Sequence, residues 1–419
     1  MIGKTKTSIF YGWVIVAAGF VILMIAWGLL YSYGVFFENL SKEFGWSRTM
    51  VSGAYSVFMV LHCALYPVVG MLNDKYGPRK SSLFCAILMS SGFALMSYIS
   101  APWQLYALYG VVIGSGISFV YIPITSTVTH WFEKRRGMAL GIVTAGVGMG
   151  TMTLLPFAQF LISNFGWRSS YLIIAIFPLI IILPVSRLLR LNPSEKGLLP
   201  YGSGEIASNR TDNSLASTRN FTLREAVKER NFWILFTIGA FSFLAVQLIM
   251  VHLKTNITDV GISPMTAATI LGTVGGASLL GRIAVGGASD RIGRKQAYFI
   301  ALFLMAIMMV WLLEARQPWQ FFVFSAIFGF GYGGCVPLPA AMIGDWFGAE
   351  SHGRILGVLS LSGMVAGIGP IIAGYIYDVK GSYDLAFIIA AVMLFMAMCL
   401  SLAIKAPHGP KITLAERFF

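Results

Sequence analysis

From Pro264 to Ser289 the chain reads PMTAATILGTVGGASLLGRIAVGGAS, a run of small and apolar residues with one charge in it, Arg282. At about 1.5 Å per residue a helix of this length crosses a bilayer core about 30 Å thick. Arg282 stands eight residues before Asp290, and so lies roughly 12 Å inside the polar end of that helix. An arginine at such a depth costs on the order of 2.5 to 3.5 kcal/mol on insertion scales, and a guanidinium does not escape by losing its proton. Something anionic is expected to meet it.

Runs of the same kind recur along the chain, giving spans near 9–36, 49–72, 81–99, 103–129, 137–162, 168–189, 231–257, 264–289, 296–314, 318–345, 353–377 and 384–405. With 57% hydrophobic and 11% charged residues and a mean hydropathy of +0.76, this is no ordinary soluble globule. An all-α integral membrane protein of twelve transmembrane helices is expected. The first apolar segment, about 28 residues long, exceeds the core of a signal peptide and is kept as a span.

The formal net charge of +13 points to nucleic acid only until the basic residues are placed. Of the 30, six fall on one side of the expected membrane (Lys42, Arg48, Arg168, Lys254, Arg316, Lys380), Arg282 lies within it, and the rest fall on the other side. That asymmetry is the positive-inside rule, which makes both termini cytoplasmic and the basicity topological. Cys63, Cys85, Cys335 and Cys399 lie within spans without metal-ligand spacing and are expected to be buried small hydrophobes.

The chain also repeats itself. Gly45, Ser47, Gly70, Asp74 and Gly77 recur 216 residues later as Gly261, Ser263, Gly286, Asp290 and Gly293. Pro123, Gly137 and Gly141 return as Pro339, Gly353 and Gly357 at the same offset of 216, and Trp131-Phe132 returns as Trp346-Phe347 at 215. Two six-helix halves of like orientation are expected, at 1–189 and 231–405, with a polar cytoplasmic linker at 190–230 and a cytoplasmic tail at 406–419. In this register Arg282 corresponds to Tyr66, so the scaffold itself requires no arginine there.

The paired loops GMLNDKYGPRK (70–80) and GGASDRIGRK (286–295) follow the second and eighth spans, with Asp74, Arg79, Asp290 and Arg294 as candidate conformational-switch residues. Glycine permits the tight turn, the aspartate can face a helix N-terminus, and the basic residues suit an anionic headgroup layer. Two such loops among twelve spans resemble the major facilitator superfamily. The stretch WFEKRRGMALGIVTAGVGMG (131–150) is similar to the signature opening the fifth helix of the monocarboxylate transporter family. There the basic trio anchors a helix start and the small residues permit close helix approach. Tyr11-Gly12-Trp13 is a partial match to the family's first-helix opening. The lysine that animal members place late in that helix falls on Tyr31, and their aspartate four residues before the eighth-helix arginine falls on Ser278.

All seventeen acidic residues sit at span ends, in loops or in tails, so the expected partner of Arg282 is a bound anion. A guanidinium favours a planar carboxylate, through two parallel hydrogen bonds. Tyr121 lies at a similar depth, Tyr332 at mid-span and Tyr31 in the outer half of the first span, and these complete the candidate substrate-binding set. His252, Lys254, Asn256 and Asp259 cluster at the outer end of the seventh span, either as a solvated helix end or as a proton-coupling station. His62, midway along the second span, is read as a hydrogen-bonded packing residue in preference to a part of the proton relay. Gly329, Gly331 and Gly334 spell G-x-G-x-x-G inside a span, where close helix packing explains them better than a nucleotide does.

The family resemblance implies a proton-coupled carrier of lactate, pyruvate or a similar short monocarboxylate, working by alternating access in a cell membrane, with the bacterial cytoplasmic membrane as the expected location. No cofactor, metal, nucleic acid or obligate protein partner is expected. An oxalate/formate-type antiporter uses a second cation in the eleventh helix, whereas residues 355–377 here contain no lysine or arginine. A non-transporting carboxylate sensor is the alternative from another class.

Overall fold

The computed structural model describes residues 10–203, 221–347 and 352–404, without the side chains of Arg136, Asp290 and His352. Ten helices among them are long and apolar enough to cross a bilayer. They are α1 (Tyr11–Phe44), α2 (Arg48–Met96), α3 (Pro102–Trp131), α4 (Gly137–Ser186), α5 (Arg230–Asp259), α6 (Pro264–Ser289), α7 (Arg294–Leu313), α8 (Pro318–Phe347), α9 (Gly353–Lys380) and α10 (Asp384–Leu402). Helices α2 and α4, of 49 and 50 residues, are each long enough for two crossings. Each is broken near its middle by a glycine in the left-handed region, Gly77 (φ 79°) and Gly166 (φ 74°). Expected loops are thus sharp elbows in continuous helix, which is how ten helices accommodate twelve expected crossings.

The repeat has a local physical meaning. Gly45 and Gly261 end their helices with positive φ, which a residue without a β-carbon adopts at little cost. Two residues on, the Ser47 and Ser263 hydroxyls each accept from a backbone N–H of the first turn, Met50 and Thr266 respectively, both at 3.2 Å. Each half therefore uses the same stop and start.

Glycine also sets how closely helices approach. A β-carbon on Gly150 would lie 2.0 Å from the Met24 carbonyl oxygen, and one on Gly333 would lie 2.0 Å from that of Ser278. The G-x-G-x-x-G run is spent the same way: a β-carbon on Gly329 would lie 2.4 Å from Val274 O, and one on Gly331 would lie 2.7 Å from Ala301 O. Outward-facing positions are apolar, as Ile180, Leu280, Ile283 and Phe395 show, and suit contact with lipid tails. Cys399 belongs to this outer surface, contrary to the sequence expectation of burial. It shares the exposed side of α10 with Val392, Phe395 and Met396.

The two halves meet toward one end and part toward the other. A β-carbon on Gly367 would touch Met59, one on Gly363 would touch Cys63 and one on Gly374 would touch the Arg48 carbonyl, which joins α9 to α2. Gly148 and Gly275 join α4 to α6 in the same way. At the Gly77–Gly293 end, β-carbons on Gly70, Gly137, Gly141, Gly287, Gly353 and Gly357 would meet nothing within 4 Å. The flanks of the expected linker dock on repeat-related corners. Tyr201 N donates to Trp131 O (2.9 Å) in one half, and Phe221 N donates to Phe347 O (3.0 Å) in the other.

Candidate binding site between the halves

Arg282 projects from α6 at the boundary between the halves and is only 6% exposed. Its Nη1 donates to the Thr144 carbonyl of α4 at 2.6 Å. A guanidinium carries five N–H donors. The Arg282 Nε is buried with no partner, and among the described residues no carboxylate lies in ion-pair range of the group. A buried charged donor left unsatisfied costs about 1–3 kcal/mol or more. The arrangement therefore favours an anion at this point.

Aromatic residues of both halves surround it. The guanidinium carbon lies 6.0 Å from the Tyr332 ring centroid. Tyr31 and Tyr332 are both buried. Trp27 packs against Tyr31 (5.4 Å), His62 (5.5 Å) and Tyr121 (6.1 Å) between ring centroids. Of the candidate set, Tyr31 and Tyr121 meet around Trp27, and Tyr332 lies beside Arg282. Ser278, at the position of the relatives' aspartate, turns its hydroxyl back to Gly275 O at 2.7 Å and leaves the arginine without an acid on its own helix face. Sequence reasoning missed Trp27 and Tyr66 as neighbours of this group. Only Tyr66 carried a signal, its register with Arg282.

His252, Lys254 and Asp259 lie elsewhere, in a network that joins the halves at the Arg48 end. Arg48 donates through Nη1 and Nη2 to the two carboxylate oxygens of Asp259 (2.7 and 3.0 Å), and its guanidinium stacks 3.4 Å from the Tyr377 ring centroid. The Asp378 carboxylate accepts from the backbone N–H groups of Arg48 (2.9 Å) and Thr49 (2.8 Å), capping the start of α2. Lys254 and Lys42 share Glu38, at 2.7 and 2.6 Å. Lys254 is buried to 2% side-chain exposure, so this is an interface and the solvated helix end among the sequence alternatives is not what forms. Asn256 is half-buried on the same helix.

The hydrogen positions in this network follow from the acceptors. Pro370 O only accepts, so His252 Nε2 carries the hydrogen of that 2.8 Å bond. His252 Nδ1 then accepts from the Tyr383 hydroxyl at 3.0 Å, while the Tyr383 oxygen accepts from Arg48 at 2.7 Å. Asp259, Arg48, Tyr383 and His252 form one continuous chain.

The paired loops are less alike than their sequences. Arg294 Nε donates to Asp345 (3.2 Å) and Nη1 to the Ser289 hydroxyl (2.5 Å) within its own half. Arg79 instead donates to the Arg187 carbonyl, and Asp74 is exposed. The side chain of Asp290 lies outside the described residues. Among the described residues no group of His, Cys, Asp and Glu is arranged to hold a metal.

The chain matches the model of the Major Facilitator Superfamily over residues 15–284 and 235–417. It is 26% identical to monocarboxylate transporter 13 of Bos taurus, covering 95% of this chain and 90% of the relative. It is also 26% identical to monocarboxylate transporter 2 of Homo sapiens, over 89% of this chain and 81% of the relative. A solved bacterial homologue of the human lysosomal transporter Spinster, inward-facing and unoccupied, superposes with a TM-score of 0.71 at 17% identity, covering 96% of this chain and 97% of that one. The chain is therefore a multi-pass membrane protein belonging to the major facilitator superfamily, with monocarboxylate transporters among its relatives.

Proposed function

We propose that the chain is a secondary transporter that moves short-chain monocarboxylates such as lactate or pyruvate in symport with protons. The observation that carries this is the buried Arg282 guanidinium, whose Nε has no protein partner and which no described carboxylate neutralises. A carboxylate arriving from the open end accepts from Arg282, while Tyr121, Tyr31 and Tyr332 supply hydroxyls and Trp27 an apolar wall. Occupancy neutralises the arginine, which lowers the cost of closing the open end. The halves then rock about the site.

With the Gly77–Gly293 end taken as cytoplasmic, on the charge asymmetry, the structure is the inward-open state. Opening the other way requires the Arg48–Asp259, Asp378 and Lys254–Glu38 contacts to part. Of the coupling set, Asp259 is the carboxylate that such parting frees to take a proton from outside, with His252, Lys254 and Asn256 beside it on α5. The energetics are consistent with symport: an anion entering against ~100 mV climbs about 2.3 kcal/mol, and one accompanying proton removes that penalty.

The test is uptake of labelled lactate into proteoliposomes under an inward proton gradient. Accumulation that collapses with a protonophore and is abolished by Arg282→Ala is expected. Uptake driven by an outward oxalate gradient and indifferent to pH would show exchange in its place.

A further inference from the structure

Tyr66 occupies in the first half the place that Arg282 holds in the second, 216 residues on. Its hydroxyl lies 2.7 Å from His62 Nε2, and His62 Nδ1 lies 3.0 Å from the Ser118 hydroxyl. The Ser118 hydroxyl has one hydrogen and spends it on the Gly114 carbonyl at 2.8 Å, a group that only accepts. Ser118 Oγ must then accept from His62, so Nδ1 bears the ring hydrogen and Nε2 is bare. Tyr66 therefore donates to His62, and its oxygen is left able only to accept. The His62 ring, 4.6 Å from that of Tyr66 between centroids, also packs on Trp27 (5.5 Å), which in turn packs on Tyr121 (6.1 Å), so the pair lies beside the residues grouped about Arg282. Beside the His62 ring lies Trp27, 7% exposed, whose indole N–H has no partner.

The geometry points to a second recognition point in the cavity: the Tyr66 oxygen, held as an acceptor by His62, with the Trp27 N–H as donor, selects a hydroxyl on the substrate beside its carboxylate. A hydroxyl donates to Tyr66 and accepts from Trp27 at once. A keto oxygen satisfies only Trp27 and sets an acceptor against an acceptor at Tyr66, and an unsubstituted acid satisfies neither. The assignment rests on the carboxylate reading and narrows it to hydroxy acids over their oxo and unsubstituted counterparts. Tyr66 is the binding group and His62 a positioning residue acting through it.

The experiment is competition by lactate, pyruvate and propionate for labelled lactate counterflow in proteoliposomes. The wild type should favour lactate over pyruvate by roughly tenfold, the scale of one buried unsatisfied polar group. Tyr66→Phe should bring that ratio close to one with propionate unchanged. His62→Leu frees the Tyr66 hydroxyl to donate and should raise pyruvate relative to lactate, whereas a purely structural role weakens all acids alike. Equal potency of lactate and pyruvate on the wild type overturns the assignment without any variant. So does a Tyr66→Phe protein that keeps the wild-type ratio or loses all three acids in step. If no acid competes on the wild type, the carboxylate reading falls, and this one with it.

Discussion

Arg48 is the side chain on which the closed end depends most, and Arg48→Ala is the sharpest perturbation of it. The substitution removes both bonds to Asp259, the bond to Tyr383 and the stacking on Tyr377, but leaves the Asp378 cap, which is held by backbone N–H groups. The pair is partly open to water, with side-chain exposures of 15% and 35%, so the salt bridge belongs nearer the surface range, about 1 kcal/mol. The Tyr383 bond adds about 1 kcal/mol and the cation–π contact roughly 0.5–1. The sum of about 2–3 kcal/mol shifts the balance between the two states by about 30- to 150-fold toward opening at this end. Spin labels at Asn164 and Val260, one in each half near the closed end, report the shift in a background with the four native cysteines replaced by alanine. The expected result is a new, longer inter-half distance in the variant. Adding Asp259→Ala should then change little, because its partner is already gone. An unaltered distance distribution, or a second substitution that acts at full strength, would refute the reasoning.

Arg282→Lys keeps the charge but loses the planar fork, and should cut lactate uptake severely while leaving expression and thermal unfolding near wild type. Gly150→Ala sets a methyl 2.0 Å from a backbone oxygen and should destabilise the protein by more than about 1–3 kcal/mol in a thermal-shift assay. Gly141→Ala, facing open space, should not. Ser47→Ala and Ser263→Ala each remove an N-cap at repeat-related helix starts and should each cost about 1 kcal/mol, seen as comparable falls in unfolding temperature.

What the sequence made legible is what lipid forces on a chain. Span length, charge asymmetry and the 216-residue repeat follow from local rules, and the buried Arg282 is conspicuous because nothing else in its span is charged. What stayed hidden is pairing between distant elements. Lys254 looks solvent-bound in VHLKTNITD because nothing local announces Glu38, which reaches it from α1 across the boundary between the halves. His252 looks free for the same reason, until Tyr383 and Pro370, both far along the chain, use its two nitrogens. Tyr66 shows the same limit in the other direction: its register with Arg282 was readable, but the bond to His62 that turns its oxygen into an acceptor was not. A polar residue in a span is therefore identified by the depth that makes it costly, and its role is decided by the helix it meets. For Arg282 the facing helix offers only the Thr144 carbonyl. A lone carbonyl cannot neutralise a guanidinium, and that shortfall is what a carboxylate from solution can make good.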